Sequence, residues 1–241
     1  NPLMKMPAQE TFASGTLRLA RRVALPLAFP LLSLMAAPAA FALADAGKLE
    51  LQAVQGRWAE IHYGLPEKQR EAAFAELAER AARAVAAEPE AAELRIWHGI
   101  VLSTLAGAKG GLGALGLVKE AKAELETALR LDPQALDGSA YTSLGSLYYQ
   151  VPGWPVGFGD DAQAEKLLKQ ALAINPGGID PNYFYGDFLA RQKRYAEART
   201  ALEKALAAPD RPGRASADAG RRAEARRLLE QVAAKLAQGA Q

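Results

Sequence analysis

The sequence predicts an all-α fold, and three observations carry that prediction. Half of its 241 residues are hydrophobic but only 7% are aromatic, and alanine dominates the apolar fraction, a composition suited to closely packed helices. From Asp45 onward, Ala- and Leu-rich faces alternate with faces rich in Glu, Lys and Arg at helical spacing. Four segments also close alike, at Pro89, Pro133, Pro176 and Pro209, each preceded by an Ala-rich apolar stretch, which marks a repeating unit.

Residues 1–44 stand apart. Lys5, Arg18, Arg21 and Arg22 precede an apolar run over 23–34, and small residues follow. Ala42-Leu43-Ala44 fits the small-x-small rule for signal-peptide cleavage before Asp45, and Ala40-Phe41-Ala42 is a second candidate. The expectation is a cleaved signal peptide and a periplasmic or otherwise exported protein with no stable membrane span after cleavage. A retained anchor is the alternative, opposed by Pro26, Pro30 and Pro38, each of which removes a backbone donor and bends a helix. Arg21-Arg22 leaves the export route open between the general and twin-arginine pathways.

Charge follows the same division. Of 29 basic and 27 acidic residues, four and one lie in residues 1–44, leaving 25 against 26. The remainder is nearly neutral, so nucleic-acid binding loses its electrostatic support. With no cysteine, disulfides and thiolate metal sites are excluded.

Upstream of the closing prolines, Ala121, Leu125 and Ala128 recur as Ala164, Leu168 and Ala171, and again as Ala198, Leu202 and Ala205. A spacing of four then three is one face of a helix. The preceding helices carry Gly99, Gly145 and Gly186. An interior glycine costs up to about 1 kcal/mol against alanine, so its recurrence points to close helix contact.

These positions, and the run Arg194-Tyr195-Ala196-Glu197-Ala198 that continues to Leu206, resemble the tetratricopeptide repeat family. The resemblance implies a helix-turn-helix solenoid of about four units over 45–209. A loop and a capping helix follow over 210–241. In the family, the small residue of the first helix and the alanine of the second lie twelve residues apart, as Gly186 and Ala198 do. Gly99 to Ala121 and Gly145 to Ala164 are longer, which places inserts near 106–116 and 151–160, inside the turns of two neighbouring units.

The first insert contains Gly111-Leu112-Gly113-Ala114-Leu115-Gly116, the spelling of a dinucleotide fingerprint, but no second parallel strand follows it, and it reads as a turn of small residues. In the second insert Asp160 caps the following helix, with Gln163 completing a capping box. Trp154 and Phe158 there either seal the core under the loop or form a stacking platform for a partner.

Tyr148, Tyr149, Tyr183 and Tyr185 put further aromatics in the same half, and those pointing outward line the concave face. The family resemblance adds Asn182 as a polar contact for a bound peptide. After Pro209, a helix over 217–237 carries Arg221, Arg222, Arg226 and Arg227, which read as a solvated surround to its apolar stripe.

Catalytic chemistry finds no constellation. His62 and His98 have no ligand-spaced companions, and Ser143 and Ser146 sit within a repeat helix without a nucleophile elbow. No catalytic residue, cofactor or metal is expected. The expected function is a non-enzymatic scaffold or adaptor that binds a protein or peptide partner. The alternative is a periplasmic small-ligand-binding or transport accessory protein that uses the inserted loops.

Overall fold

The computed structural model describes residues 42–239. The leader expected over 1–44 lies outside them except for its last three residues. The described residues form α1 Asp45–Ala59, a π-helical turn Glu60–Gly64, α2 Glu67–Ala87, α3 Ala92–Lys109, α4 Ala114–Leu131, α5 Ala135–Gln150, α6 Asp161–Ile174, α7 Ile179–Arg191, α8 Tyr195–Ala207 and α9 Ala215–Gly239. No described helix is long and apolar enough to cross a membrane.

The helices stack as antiparallel pairs, with α3 on α4, α5 on α6 and α7 on α8, and α9 laid against α8. The glycines explain how closely the pairs approach. A Cβ on Gly99 would lie 2.8 Å from Leu125, one on Gly145 2.9 Å from Leu168, and one on Gly186 2.8 Å from Leu202. Each leucine fills the space left by its glycine and is completely buried. The alanines that flank these leucines are equally inaccessible. All three contacts survive although the turns between the paired helices differ in length, so the turns absorb the variation and the packing does not.

The first turn differs from the expected flexible loop. α3 continues to Lys109 and α4 begins at Ala114, leaving only residues 110–113 between them. Alanines favour the helical extension. Gly110 then ends α3 at φ 65°, a positive φ that glycine adopts without a steric penalty. The fingerprint spelling therefore sits at a helix-turn-helix junction, not after a strand.

The second turn is a loop closed on itself. Asp160 N–H donates to the Tyr148 carbonyl at 2.8 Å and Gly159 N–H to the Pro152 carbonyl at 2.9 Å. A Cβ on Gly157 would meet the Pro152 oxygen at 2.4 Å, so the approach requires glycine. Asp160 accepts from Gln163 N–H at 3.0 Å as the N-cap of α6.

α9 does more than cover the last pair. It also reaches α1 and the π turn, so the two ends of the array meet. Gly220 lies under the Tyr63 ring, where a Cβ would come within 2.5 Å of ring carbons.

Candidate functional site

The inner helices present three successive faces to one space. α3 contributes Trp97, Ile100 and Thr104, α5 contributes Ser139, Ser143 and Ser146, and α7 contributes Asp180, Phe184 and Asp187, each set at the three-to-four spacing of a single helix face. With α9 and the arginine-bearing turn before it on the far side, they enclose a half-open cavity of about 510 Å³. That volume lies in the range of small-molecule sites.

An ion network binds the cavity's closing wall. Asp180 accepts from Arg221 Nε at 2.8 Å and from Arg211 at 2.6 Å, and Arg211 also pairs with the buried Asp218. Burial works to raise the Asp180 carboxyl, but Arg221 and Arg211 outweigh it and hold it at about 2. Arg221, only 8% exposed, also meets Glu224 at 2.6 Å and lies over the rings of Tyr183 and Phe184, 4.6 and 4.7 Å from their centroids.

Glu224 carries the network to the other end of the chain. Tyr63 Oη donates to it at 3.2 Å and His62 Nε2 stands 3.3 Å away. Its carboxyl resists the upward push of burial and is lowered by His62 and Arg221. His62 stacks on Trp58 at 4.7 Å, and the Trp58 indole N–H donates to Thr104 at 2.9 Å. Arg221 was expected on a solvated face. It is instead a buried strut, because α9 packs directly against α7, which carries its partner Asp180.

Arg214 is different. Its guanidinium lies 4.8 Å from the Trp97 ring centroid, it lines the cavity, and it forms no ion pair among the described residues. Nε is buried without a hydrogen-bond partner. Burial, and then the nearby Arg211, lower its pKa.

The tetratricopeptide repeat family model matches residues 157–216. Residues 157–216 are similar to tetratricopeptide repeats. This match spans the loop end, α6, α7, α8 and the turn to α9, and so includes Asp180, Arg211 and Arg214. Solved structures similar to this chain include a thermophilic tetratricopeptide repeat protein of Thermus thermophilus, at 17% identity and TM-score 0.40, over 76% of this chain and 98% of that one. MamA is 21% identical, TM-score 0.38, over 72% and 95%. Pseudomonas aeruginosa pilF is 16% identical, TM-score 0.34, over 80% and 91%. No curated protein matches the chain. The described residues outside this match continue the same stacking of helix pairs.

The aromatic candidates separate within this scaffold. Tyr183 lines the cavity. Tyr149 donates to Asp187 at 2.8 Å and lies beneath Arg191, so it braces the wall from behind. Tyr185 faces Glu165 and Arg194 on the outer side. Phe158 packs edge-on against Tyr148, centroids 5.4 Å apart, with the Lys122 ammonium over both rings. Trp154 is 91% exposed at the loop tip.

Asn182 is a correction. It is 2% exposed and gives its amide to the carbonyls of Pro176 and Gly178 at 2.9 and 2.8 Å, so it fastens the start of α7 and does not line the cavity. Arg211, Arg214, Asp180 and Glu224 went unnoticed as site residues. The signal was the alternation of acids and aromatics along Asp180, Tyr183, Phe184 and Asp187, opposite an arginine-rich turn. Among the described residues no group of His, Asp or Glu converges as metal ligands do.

Proposed function

We propose that the protein is a non-enzymatic, exported binding protein that houses a compact ligand in the cavity between its inner helices and α9. One observation carries this reading: α9 returns to the first helices through Glu224, Tyr63 and His62, turning an open concave face into a walled recess. An extended peptide needs an open groove, whereas a recess of this size suits a small molecule. Export is supported by the basic-then-apolar order of residues 1–44. The test is native mass spectrometry of protein purified from its source. A small-molecule adduct is expected on the natural sequence and absent from a folded Ser143→Trp variant, whose indole occupies the recess. No adduct on the natural protein, or an unchanged adduct on the variant, overturns the reading.

A second reading concerns the outer edge. Trp154 at 91% exposure and Val156 at 50% sit on a loop whose base is held by backbone bonds and by Phe158. A rigid loop with an exposed tryptophan is an economical anchor for a protein partner. Affinity capture with the mature protein tests it: a partner lost with Trp154→Ala at unchanged stability supports the loop as the protein-binding edge, and an unchanged capture set removes it.

A further inference from the structure

The arginines of the cavity wall find protein acceptors with one exception. Asp180 is shared by Arg211 and Arg221, Asp187 is held by Arg191 and Tyr149, and Glu224 by Arg221 and Tyr63. Arg70 donates its Nε–H to the Leu65 carbonyl. Arg214 alone of the five lining arginines has no protein acceptor among the described residues. A cation in a partly desolvated wall without an acceptor is costly, and a built site leaves such a group open only where something else completes it.

The surroundings narrow what completes it. Trp97, itself 5% exposed, lies under the Arg214 guanidinium, its ring centroid 4.8 Å from the guanidinium carbon, a cation–π contact that helps to position the cation. A guanidinium presents a fork that matches the two oxygens of a carboxylate. The lining carries five arginines against the four carboxylates of Glu67, Asp180, Asp187 and Glu224, so one negative charge balances the wall, whereas a phosphate dianion overshoots it. Beyond the fork, the walls are Trp58, Trp97 and Ile100 on one side and the hydroxyls of Ser139, Thr142 and Ser143 on the other. They suit an apolar body with a hydrogen-bonding group on one flank.

We propose that Arg214, placed over the Trp97 ring, is the anchor for the carboxylate of a small organic monoacid bound in the cavity. This rests on the cavity reading above and adds the ligand's charge and its anchor. The bound carboxylate takes both of its hydrogen bonds from the guanidinium, and no covalent step is involved.

Calorimetric titration with benzoate and hexanoate, their neutral amides and inorganic phosphate tests the assignment. Benzoate or hexanoate is expected to bind the natural sequence, with affinity at least about tenfold lower in Arg214→Gln and an intermediate loss in Arg214→Lys, which keeps the charge but not the fork. Thermal unfolding without ligand confirms that each variant is folded, and Arg214→Lys alone decides the matter if Arg214→Gln is not. Equal carboxylate binding by natural and variant protein overturns the proposal, as does tighter binding of phosphate. Tighter binding of an alanine tetrapeptide with a free carboxyl terminus than of hexanoate also overturns it, in favour of a chain terminus. Amides that bind as well as acids overturn the anchor but leave the cavity reading standing. If neither acids nor amides bind, the anchor fails. The cavity reading fails with it only if native mass spectrometry also finds no adduct.

Discussion

The Tyr63 hydroxyl donates a hydrogen bond to Glu224 at 3.2 Å, joining residues 161 positions apart. Few contacts of this kind hold the first and last helices together, so the closure is sensitive to single substitutions. Glu224→Gln removes the charge that Arg221 pairs with there and weakens the His62 and Tyr63 contacts. A loss of about 1–3 kcal/mol is expected in denaturant unfolding, with faster amide exchange in α9 than in α3 or α4. Uniform exchange across the helices would show that the closure is dispensable.

Asp180 gives the stability a sign at acid pH. Its carboxyl, held at about 2 when folded against an ordinary 3.8, leaves the unfolded chain to take up the proton first. The contribution is complete above the ordinary value and is lost as pH falls towards 2. Asp180→Asn is expected to cost about 3 kcal/mol near neutrality by removing the carboxylate that Arg211 and Arg221 share, leaving them only Asp218 and Glu224, and to flatten the stability profile in that acid window. Urea midpoints across the window provide the measurement.

Glycine substitutions should divide by the space around them. Gly145→Ala places a methyl 2.9 Å from Leu168, so overpacking of about 1–3 kcal/mol outweighs the helix-propensity gain. Gly56→Ala, in α1 with nothing within 4 Å of the added carbon, is expected to stabilise by about 0.5–1 kcal/mol. Paired thermal unfolding distinguishes a packing role from a mere helix-breaking one.

The start of the described chain bears on processing. Leu43 is 7% exposed within the main core and Ala44 N–H donates to Glu88 at 3.1 Å. Cleavage after Ala42 keeps both contacts, whereas cleavage after Ala44 removes them. Under the export proposal, N-terminal sequencing of the secreted protein is expected to begin at Leu43. A terminus at Asp45 would show those contacts to be expendable.

How much was legible in the sequence follows from the range of each interaction. Gly145 and Leu168 announce a helix pair because the pattern repeats and the packing is local. The cap Asp160 was readable for the same reason, three residues from Gln163, whose backbone N–H it accepts. Arg221 was misread because its own helix surrounds it with charge, while its partner Asp180 is 41 positions upstream and meets it only where α9 packs on α7. Asn182 was misread in the opposite direction, since the family resemblance supplied a role that its local bonds to Pro176 and Gly178 had already taken. The cavity depends on where α9 ends its path, which no spacing within a repeat encodes.

That return of α9 has a consequence for how the molecule can change over time. Repeat arrays ordinarily lengthen or shorten by duplicating or deleting a unit, because each unit touches only its neighbours. Here an added pair ahead of α9 would carry Glu224 away from Tyr63 and His62, and a deleted one would drive them together. The number of units is therefore locked by geometry, and variation is channelled into the turns between paired helices, where the lengths already differ.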